Sequence, residues 1–490
     1  MTAQGSALVS AFEIHGLFGS SKYLHVDLTG QGFDASKGRR LSLLYGNNGS
    51  GKTTALNLLW HALSSSGKRG HRTYIARTPF NRFAIYLCSG DVITFTKTAE
   101  PIGDFTATVT KNDKKVAEQF YKLQPDGSVA AVPPYRETAP YGIHQKPLFE
   151  LEDQLARYQA GLPWEEVPAE FQRVMRRGAR TFERQSDPFV DYLENLGAGP
   201  YMLADDRRIY GDDIERVGTR HRGRRVIESE DVGSNPSPNG VTAELATAVQ
   251  RASDMIQKMI INGNVSGSRG SNNVYLGILE KISQTTAKEV DPETRSKLNE
   301  NLREIAKKTA EYSKYGLMPP LREDSFLDVL SRTPDNRLDV AEDVLRPFVE
   351  AQEARLDALS SVARLLATLT REIDRFFESS GKRVRYRTQA GIRVLSEEGD
   401  FLAPENLSSG ERQILLLLLN TVLARQNTRL FLIDEPELSL NVKWQRQLMG
   451  ALLALTEGAP VQFIVATHSI EVITGHRDSL ARVAPQELED

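Results

Sequence analysis

The stretch GNNGSGKT, from Gly46 to Thr53, constrains this chain more than any other part of its sequence. It follows the apolar run RLSLLYG and opens KTTALNLLWHAL, which predict a short buried strand and a helix. Glycines at 46, 49 and 51 allow positive φ, so that backbone N–H groups can wrap an anion at the helix N-terminus. The pattern G-x-x-x-x-G-K-[ST] in this context predicts a loop that binds nucleotide phosphates.

The chemistry of this loop is assigned to its last residues. Lys52 is expected to reach the β- and γ-phosphates, and the Thr53 hydroxyl to bind Mg²⁺. The expected cofactors are therefore ATP and Mg²⁺. The predicted nucleotide-binding residues are Gly46, Asn47, Asn48, Gly49, Ser50, Gly51, Lys52, Thr53 and Thr54.

A second apolar run, LFLIDEPE at 430–437, ends in carboxylates. A buried parallel strand would deliver Asp434 and Glu435 to the carboxyl edge of a sheet, where ligands bind. We expect Asp434 to hold Mg²⁺ through water, and Glu435 to orient and deprotonate the attacking water. A core strand that runs into a polar turn would show the same pattern.

The run VQFIVATHS, 461–469, predicts a third buried strand with a polar end. A single histidine is more often a surface residue or a hydrogen-bonded core residue. However, His468 ends the next apolar strand after the one that carries Asp434, which favours a place beside the γ-phosphate. The predicted catalytic residues are thus Glu435, His468 and Lys52.

The segment LSSGE, 407–411, precedes the apolar helix RQILLLLLNTVL. Ser408 or Ser409, with the N–H of Gly410 at a helix N-terminus, is a potential anion receptor, although a plain N-cap is the commoner use of such serines. The glycine-rich loop already holds one set of phosphates. A second receptor therefore indicates a second nucleotide, held by another copy of the chain. The predicted trans-acting residues are Ser408, Ser409, Gly410 and Glu411.

The composition of the chain argues against several kinds of site and segment. The only cysteine, Cys88, rules out intrachain disulfides and zinc sites built from several cysteines of one chain, which fits a reducing cytoplasm. Cys88 itself is predicted to be a small buried hydrophobe within FAIYLCSG. No apolar run reaches the ~18–20 residues of a membrane span, and the start of the sequence lacks the pattern of a signal peptide. No membrane partner is expected.

Other segments predict the elements around these motifs. Strand-like hairpins turn at Ser89-Gly90 and at Asn112-Asp113. A helix over about 337–379 carries Pro347, which should kink or start it. A near-heptad stripe in this helix predicts an ordinary core face, one arm of a short antiparallel coiled coil, or a dimer contact. The stripe consists of Leu356, Leu359, Val362, Leu366, Leu369, Ile373 and Phe376. A further hairpin is predicted at 383–399.

The motifs, in their order, resemble those of the ATP-binding-cassette ATPases. The corresponding segments are Walker A at 46–53, the signature at 407–411, Walker B at 430–435, the D-loop at about 438–441 and the H-loop at 467–469. Within that superfamily the chain resembles the soluble branch, which includes structural-maintenance-of-chromosomes heads, zinc-hook repair ATPases, RecF and overcoming-lysogenization-defect proteins. The resemblance implies an α/β fold: a P-loop ATPase head with an antiparallel β flap and a large α-helical insertion. It also implies that two heads sandwich two ATP molecules.

On this basis the chain is expected to divide into four parts. These are the first head lobe with the flap at 1–135, a helical extension and return strand at 136–205, a helical insertion with a basic loop at 206–382, and the second head lobe at 383–490.

Several positions depart from the family pattern. The signature is LSSGE rather than LSGGQ, and Asn441-Val442 stand where relatives often have His-Pro. The Q-loop glutamine, a metal ligand in the family, has only Gln145 as a weak candidate. Too few residues follow Ser469 for the C-terminal nuclease of overcoming-lysogenization-defect proteins, so an effector is expected to be a separate protein.

Two functions fit this reading. The chain resembles standalone ATPase subunits of anti-phage systems of the PARIS and Septu types. That resemblance implies a homo-oligomer, clamped by ATP, that restrains a separately encoded nuclease and releases it when DNA or a phage protein acts as the trigger. The alternative is a DNA-repair or chromosome-maintenance ATPase with ATP-gated DNA binding. A transporter motor is disfavoured because the insertion is large.

The basic segment TRHRGRRV, 219–226, bears on this choice. Together with Arg173, Arg176, Arg177 and Arg180 it is a phosphate-binding surface, a solvated loop or a contact with an acidic protein.

Overall fold

The computed structural model describes residues 7–19, 22–29, 40–47, 49–67, 70–98, 100–132, 187–204, 209–211, 238–268 and 293–487. The chain divides into two compact units. Unit 1 contains Met1–Leu8, Leu28–Trp60 and Gly199–Arg482, and unit 2 contains Val9–Asp27, His61–Ala198 and Val483–Asp490. The four-part division expected from the sequence stays a prediction.

The described strands, in chain order, are β1 (Val9–His15), β2 (Lys22–Asp27), β3 (Leu41–Tyr45), β4 (Arg82–Leu87), β5 (Asp91–Lys97), β6 (Phe105–Lys111), β7 (Lys114–Leu123), β8 (Val129–Val132), β9 (Tyr201–Leu203), β10 (Ile209–Gly211), β11 (Arg383–Arg387), β12 (Gly391–Leu395), β13 (Phe401–Leu402), β14 (Leu430–Asp434), β15 (Gln462–Thr467) and β16 (Arg482–Glu487). The described helices are α1 (Lys52–Leu63), α2 (His71–Arg77), α3 (Pro188–Leu196), α4 (Pro238–Ser268), α5 (Thr294–Ser313), α6 (Glu323–Arg332), α7 (Leu338–Phe377), α8 (Ser409–Asn427), α9 (Val442–Leu455) and α10 (Ile470–Ile473).

The main sheet of unit 1 has five strands in the order β10-β9-β14-β15-β3. β9, β14, β15 and β3 run parallel to one another, and β10 is antiparallel to β9. Every residue of β14 and β15 is buried, because a parallel sheet is covered on both faces. This explains why both strands appear in the sequence as unbroken apolar runs.

Helix α7 supplies much of the core of unit 1. All seven residues of its heptad-like stripe are buried, with exposures of 0 to 3%. They belong to one hydrophobic cluster with residues of α4 and α5, such as Ile260 and Leu302. The stripe is therefore a core face that packs within this chain, so the dimer-contact alternative is wrong. The coiled-coil alternative stays a prediction. Pro347 lies inside the continuous helix and does not start it.

A second sheet of unit 1 has three strands in the order β11-β12-β13. The hairpin predicted at 383–399 is confirmed as β11 and β12, and β13 adds a short third strand. Its inner face buries Val384, Tyr386, Ile392 and Val394 in the same cluster as the helices. Alternation along each strand leaves the residues between them on the outer face.

Unit 2 is built on an eight-stranded sheet in the order β16-β2-β1-β4-β5-β6-β7-β8. The neighbours from β2 through β8 pair antiparallel. The predicted turn at Asn112-Asp113 is confirmed, and both residues have positive φ, 49° and 60°, as a tight type I′ hairpin requires. The prediction that Cys88 is buried is wrong. β4 ends at Leu87, so Cys88 starts the turn and is exposed.

The α/β class is confirmed, with a P-loop strand and helix, an antiparallel β region and a helical region between residues 238 and 377. Among the helices that the structure describes, none combines the length and the apolar character needed to cross a membrane.

Candidate nucleotide-binding site

Three parallel strands end at one edge of the main sheet of unit 1. In the observed register Asp434 on β14 lies opposite Ala466 on β15, and Thr467 on β15 lies opposite Tyr45 on β3. The residues that follow each strand, Glu435, His468 and Gly46, are consequently delivered to this same edge. A carboxyl edge of a parallel sheet is the usual position of a ligand in an α/β protein.

The glycine-rich loop connects β3 to α1 at this edge. Lys52 turns back over the loop, and its ammonium donates to the carbonyls of Gly46 and Asn47 at 2.8 and 3.0 Å. Gly49 and Gly51 have φ of 79° and 85°, which favours glycine at both positions. Gly46 does not have positive φ, so that part of the sequence argument is wrong. A side chain there would instead meet the Ser50 hydroxyl at 3.3 Å.

The first turn of α1 presents the predicted polar groups. The N–H of Ser50 donates to Asn47 at 3.3 Å, and the N–H of Ala55 donates to Gly51 at 2.9 Å. Ser50 and Thr53 are exposed, and Thr54 is half-buried. Two predicted residues, Asn48 and Gln145, lie outside the described residues, as do the basic positions at 173–180 and 219–226.

Glu435 has an unusual backbone. Its φ is 47°, in the left-handed region, and its N–H donates to the carbonyl of Ala466 at 2.9 Å. A non-glycine residue in this conformation costs about 1–3 kcal/mol and persists only when its surroundings hold it there. Such strain is typical of functional sites, and here it turns the chain sharply at the end of β14.

The carboxylate of Glu435 contacts the imidazole of His468, with 2.6 Å between Oε2 and Nδ1. The His468 side chain is 45% exposed, whereas that of Glu435 is 14% exposed. Burial raises the pKa of Glu435, and the nearby carboxyl of Glu437 raises it further, while His468 opposes both effects. A raised pKa makes a carboxylate a stronger base, which suits the role predicted for Glu435.

Glu437 is a further residue of the site that the sequence analysis did not single out. Its buried Oε1 accepts hydrogen bonds from the Thr467 hydroxyl at 2.5 Å and from the N–H groups of His468 and Ser469, each at 3.0 Å. One carboxylate oxygen thus fixes three successive residues at the end of β15. The only sequence signal was a second acid shortly after the Asp434-Glu435 pair.

Gln445 joins two loops at the same edge. Its side-chain amide donates to the carbonyl of Leu440 at 2.9 Å and accepts from the Ser469 hydroxyl at 2.7 Å. Leu440 lies in the predicted D-loop, and its neighbour Ser439 has a φ of 67°. The D-loop backbone is therefore tied to the segment that carries His468.

The predicted signature segment forms the start of α8. Ser408 is the N-cap: its hydroxyl accepts from the N–H of Glu411 at 3.3 Å, and the carboxylate of Glu411 accepts from the N–H of Ser408 at 2.7 Å. The N-cap role weighed from the sequence is thus confirmed for Ser408. Both Ser408 and Ser409 remain exposed.

Two buried contacts hold this helix start in place. The ammonium of Lys382 donates to both carboxylate oxygens of Glu411, at 2.9 and 2.7 Å. Burial alone would raise the pKa of Glu411, but the hydrogen bonds from Lys382 and Ser408 outweigh burial and lower it. Gly410 packs so closely that a Cβ there would lie 3.1 Å from the Ser439 carbonyl and from the Trp444 ring.

The oxygen donors at this edge suit the ion implied by the motifs. Asp434 is a carboxylate with 1% exposure, and Thr53 offers a hydroxyl; Mg²⁺ prefers such hard oxygen ligands. Glu435, Glu437 and His468 form a second donor group, whose ligand atoms lie within 4.8 Å of one another. Because this group includes an imidazole, its chemistry differs from that of a typical Mg²⁺ site.

Comparison with known proteins gives one family match. Residues 290–474 match the family described as "AAA domain, putative AbiEii toxin, Type IV TA system". The matched span contains the predicted signature, Walker B and H-loop segments, and it begins after the glycine-rich loop. No curated protein sequence matches the chain significantly. The family match supports an ATP-binding ATPase.

Several solved structures are similar to the chain. A Smc head domain with an extended coiled coil, bound to the C-terminal domain of ScpA and derived from Pyrococcus furiosus, is 11% identical, with 98% of this chain and 96% of that chain covered and a TM-score of 0.36. A SmcHead bound to the C-winged helix domain of ScpA is 10% identical, with 98% of each chain covered and a TM-score of 0.31. An SMC head domain from Thermotoga maritima is 19% identical over 26% of this chain and 48% of that chain, with a TM-score of 0.19.

Proposed function

We propose that this chain is an ATPase of the ATP-binding-cassette type, in which ATP clamps two copies together. The observation that carries the proposal is the strand order β14-β15-β3 in the main sheet. This order brings the ends of the strands bearing Asp434, Thr467 and Tyr45 to one edge, directly beside the loop that contains Lys52. Asp434, Lys52 and the two residues that follow the strands, Glu435 and His468, supply the groups that nucleotide hydrolysis requires.

In this proposal each group has a distinct task. Lys52 binds the β- and γ-phosphates, and Thr53 and Asp434 hold Mg²⁺, which neutralises phosphate charge when bound. Glu435 accepts a proton from the attacking water, and its raised pKa favours that transfer. His468 orients the Glu435 carboxylate through the 2.6 Å contact, and we assign it a contact with the γ-phosphate. Glu437 positions His468 by accepting a hydrogen bond from the backbone N–H of His468.

The second half of the site would come from another copy. Ser409 is exposed at the first residue of α8, where helix N–H groups point outwards and attract anions. We propose that Ser408, Ser409 and Gly410 of one copy contact the γ-phosphate held by the other, with Glu411 fixing the helix start. Bound ATP would then hold the two copies together, and hydrolysis would let them separate.

At the level of biology, we propose that the clamped oligomer restrains a separately encoded toxic effector, a nuclease, and releases it when DNA or a phage protein is sensed. Two observations support this. The matched family's description names a toxin of a toxin–antitoxin system. The described helices α4 to α7 are more than nucleotide binding needs and offer surface for a partner.

The test of the clamp is the mass of the complex in solution. With ATP and Mg²⁺, Glu435→Gln should bind ATP, fail to hydrolyse it and accumulate as a dimer or larger oligomer in light scattering. Lys52→Ala should lose ATP binding, and Ser409→Arg should bind ATP but stay monomeric. Glu405→Gln, at an exposed position just before the signature, is the control. A monomeric Glu435→Gln protein that is saturated with ATP would refute the clamp.

The effector proposal has a separate test. Co-expression with the product of the adjacent gene should give a stable complex in wild type. Lys52→Ala should release that product and make the pair toxic. If the two proteins do not associate although the ATP clamp forms, the effector role is wrong while the ATPase assignment stands.

A further inference from the structure

The outer face of the β11-β12-β13 sheet is strongly basic. Alternation places Arg383, Arg385 and Arg387 of β11 on this face, and all three are exposed. Arg393 of β12 joins them, directly opposite Arg385 in the antiparallel register. The inner residues between them are buried, so these arginines cannot be reoriented without turning the core outwards.

Only one of these four charges is paired within the described part of the chain. Arg385 donates to Asp374 at 2.9 Å, and no ion pair joins Arg383, Arg387 or Arg393 to a described acid. Like charges directly opposite on neighbouring strands destabilise a sheet. The acids of this sheet, Glu397, Glu398 and Asp400, lie on the turn after β12, at the end of the sheet nearest Arg383. Arg385 and Arg387 lie further along β11 from this turn.

An exposed aromatic ring completes the face. Phe401 on β13 is 55% exposed, and the guanidinium of Arg393 lies 5.3 Å from the centre of its ring. Phe401 lies opposite Leu395, which lies opposite Arg383, so the ring belongs to the same surface as the arginines.

We propose that this face, defined as Arg383, Arg385, Arg387, Arg393 and Phe401, binds single-stranded nucleic acid. Alternate residues on a strand are ~6.6 Å apart, so β11 presents a row of guanidinium groups to successive phosphates of an extended backbone. Arginine matches phosphate with a planar fork and also stacks on bases. Phe401 supplies the stacking platform typical of sheets that bind single strands.

A single strand fits this face better than an acidic protein does. An acidic peptide would satisfy the arginines but would offer no planar base to stack on the exposed part of the Phe401 ring. A nucleotide chain has both a phosphate and a planar base in each repeat. DNA and RNA share that chemistry, so the experiment distinguishes between them. This inference does not depend on the proposed effector or on the ATP clamp.

The face is also covalently adjacent to the candidate nucleotide site. Lys382, which binds Glu411 at the start of α8, immediately precedes Arg383. A ligand that fixes β11 would thus fix the residue that anchors the signature segment. Nucleic acid bound on this face is expected to change the ATPase rate.

Binding should be measured by fluorescence anisotropy with the full chain and labelled oligo(dT), oligo(U) and a mixed-sequence duplex, at 50 and 200 mM salt. The double variant Arg387→Ala/Arg393→Ala should bind single strands at least tenfold more weakly. The magnitude of the slope of log K against log salt should fall by about 1.4, since each phosphate contact to a single strand contributes about 0.7. The matched control, Arg303→Ala/Arg322→Ala, removes the same charge from exposed positions on α5 and just before α6.

Phe401→Ala separates the two kinds of contact. It should weaken binding at least about fivefold and leave the salt slope unchanged, because stacking releases no counterions. The proposal is overturned if wild type binds neither oligo(dT) nor oligo(U) at 50 mM salt, or if the double variant matches its control. It is also overturned if the duplex binds as tightly as the single strands and Phe401→Ala has no effect. Equal binding of polyglutamate, with the same loss in the double variant, would assign the face to an acidic protein instead.

Discussion

The buried Oε1 atom of Glu437 accepts a hydrogen bond from the Thr467 hydroxyl at 2.5 Å, and it is also the acceptor for the two N–H groups that follow. The end of β15, and with it the catalytic histidine proposed here, is therefore positioned by a residue that itself follows β14. The two loops at the edge of the sheet are coupled through a single oxygen atom.

Glu437→Ala should lower kcat by about 10- to 100-fold, because a small displacement of catalytic groups can cost that much. It should also lower the free energy of unfolding by about 1–3 kcal/mol, since buried donors lose their acceptor. ATP binding, which depends on Lys52, should change little. Steady-state kinetics and urea unfolding measure these effects. Glu437→Gln keeps an oxygen acceptor and should retain most of the stability, so equal losses in the two variants would contradict the positioning role.

The pH dependence of kcat should show the environment of Glu435. A base works in its deprotonated form, so activity should fall as the pH drops through the pKa of Glu435. Burial and Glu437 raise that pKa, so the acid limb should lie above the ordinary glutamate value of 4.5. Glu437→Gln removes one raising cause and should move the limb to lower pH. His468→Ala removes the opposing contact and should move it to higher pH.

These opposite shifts are the diagnostic result, to be read from the pH profile of kcat at saturating ATP. An acid limb that stays in place in both variants would show that another group, not Glu435, limits the reaction at low pH.

Gly410→Ala should destabilise the protein and reduce ATPase activity. The added methyl group would lie 3.1 Å from both the Ser439 carbonyl and the Trp444 ring, and overpacking of this kind costs about 1–3 kcal/mol. Gly450→Ala is the matched control, because Gly450 lies within α9 and has no atom within 4 Å of the added Cβ. That change should stabilise the protein by about 0.5–1 kcal/mol through helix propensity. Thermal unfolding measures both variants. An equal decrease of the unfolding temperature in the two would exclude the close-packing explanation.

Lys382→Met should lower the free energy of unfolding by about 1–3 kcal/mol at neutral pH, because it leaves the Glu411 carboxylate buried without its cation. The pKa of Glu411 is lowered in the folded protein, so its contribution is present above the ordinary value of 4.5 and is lost as the pH falls through the folded value. The difference in the free energy of unfolding between wild type and variant should therefore disappear at acidic pH.

The control for this prediction is Lys308→Met. Lys308 pairs with Glu304 at 2.7 Å, but both side chains are more than half exposed, and such pairs contribute little. Urea unfolding at pH 7 and below pH 4.5 measures both variants. Similar decreases in the free energy of unfolding would mean that burial of the Lys382–Glu411 pair does not increase its contribution to stability.

The main elements of the site could be predicted because local patterns determine them. The glycine-rich loop, the two apolar runs that end in polar residues and the heptad-like stripe each depend on short-range periodicity. The stripe also allowed a dimer contact, and only the burial of Leu359 and its neighbours within this chain excludes that interpretation.

The missed residues depend on contacts between distant parts of the chain. Glu437 acts on His468, which arrives only after α9 and β15 have folded. Lys382 reaches Glu411 because the β11–β12 hairpin returns the chain to the start of α8. The error at Cys88 has a different cause: the apolar run continues for one residue after the strand pairing stops. No periodicity marks that boundary.

The position of Cys88 has a practical consequence. It is the only thiol in the chain and lies exposed at a hairpin turn, so a maleimide dye or a nitroxide would attach at one known point without mutagenesis. In an assembly of identical copies, the resulting probes would be related by symmetry. Energy transfer between dyes could then follow subunit association during turnover, and pulsed electron resonance between nitroxides could measure their separation in frozen samples.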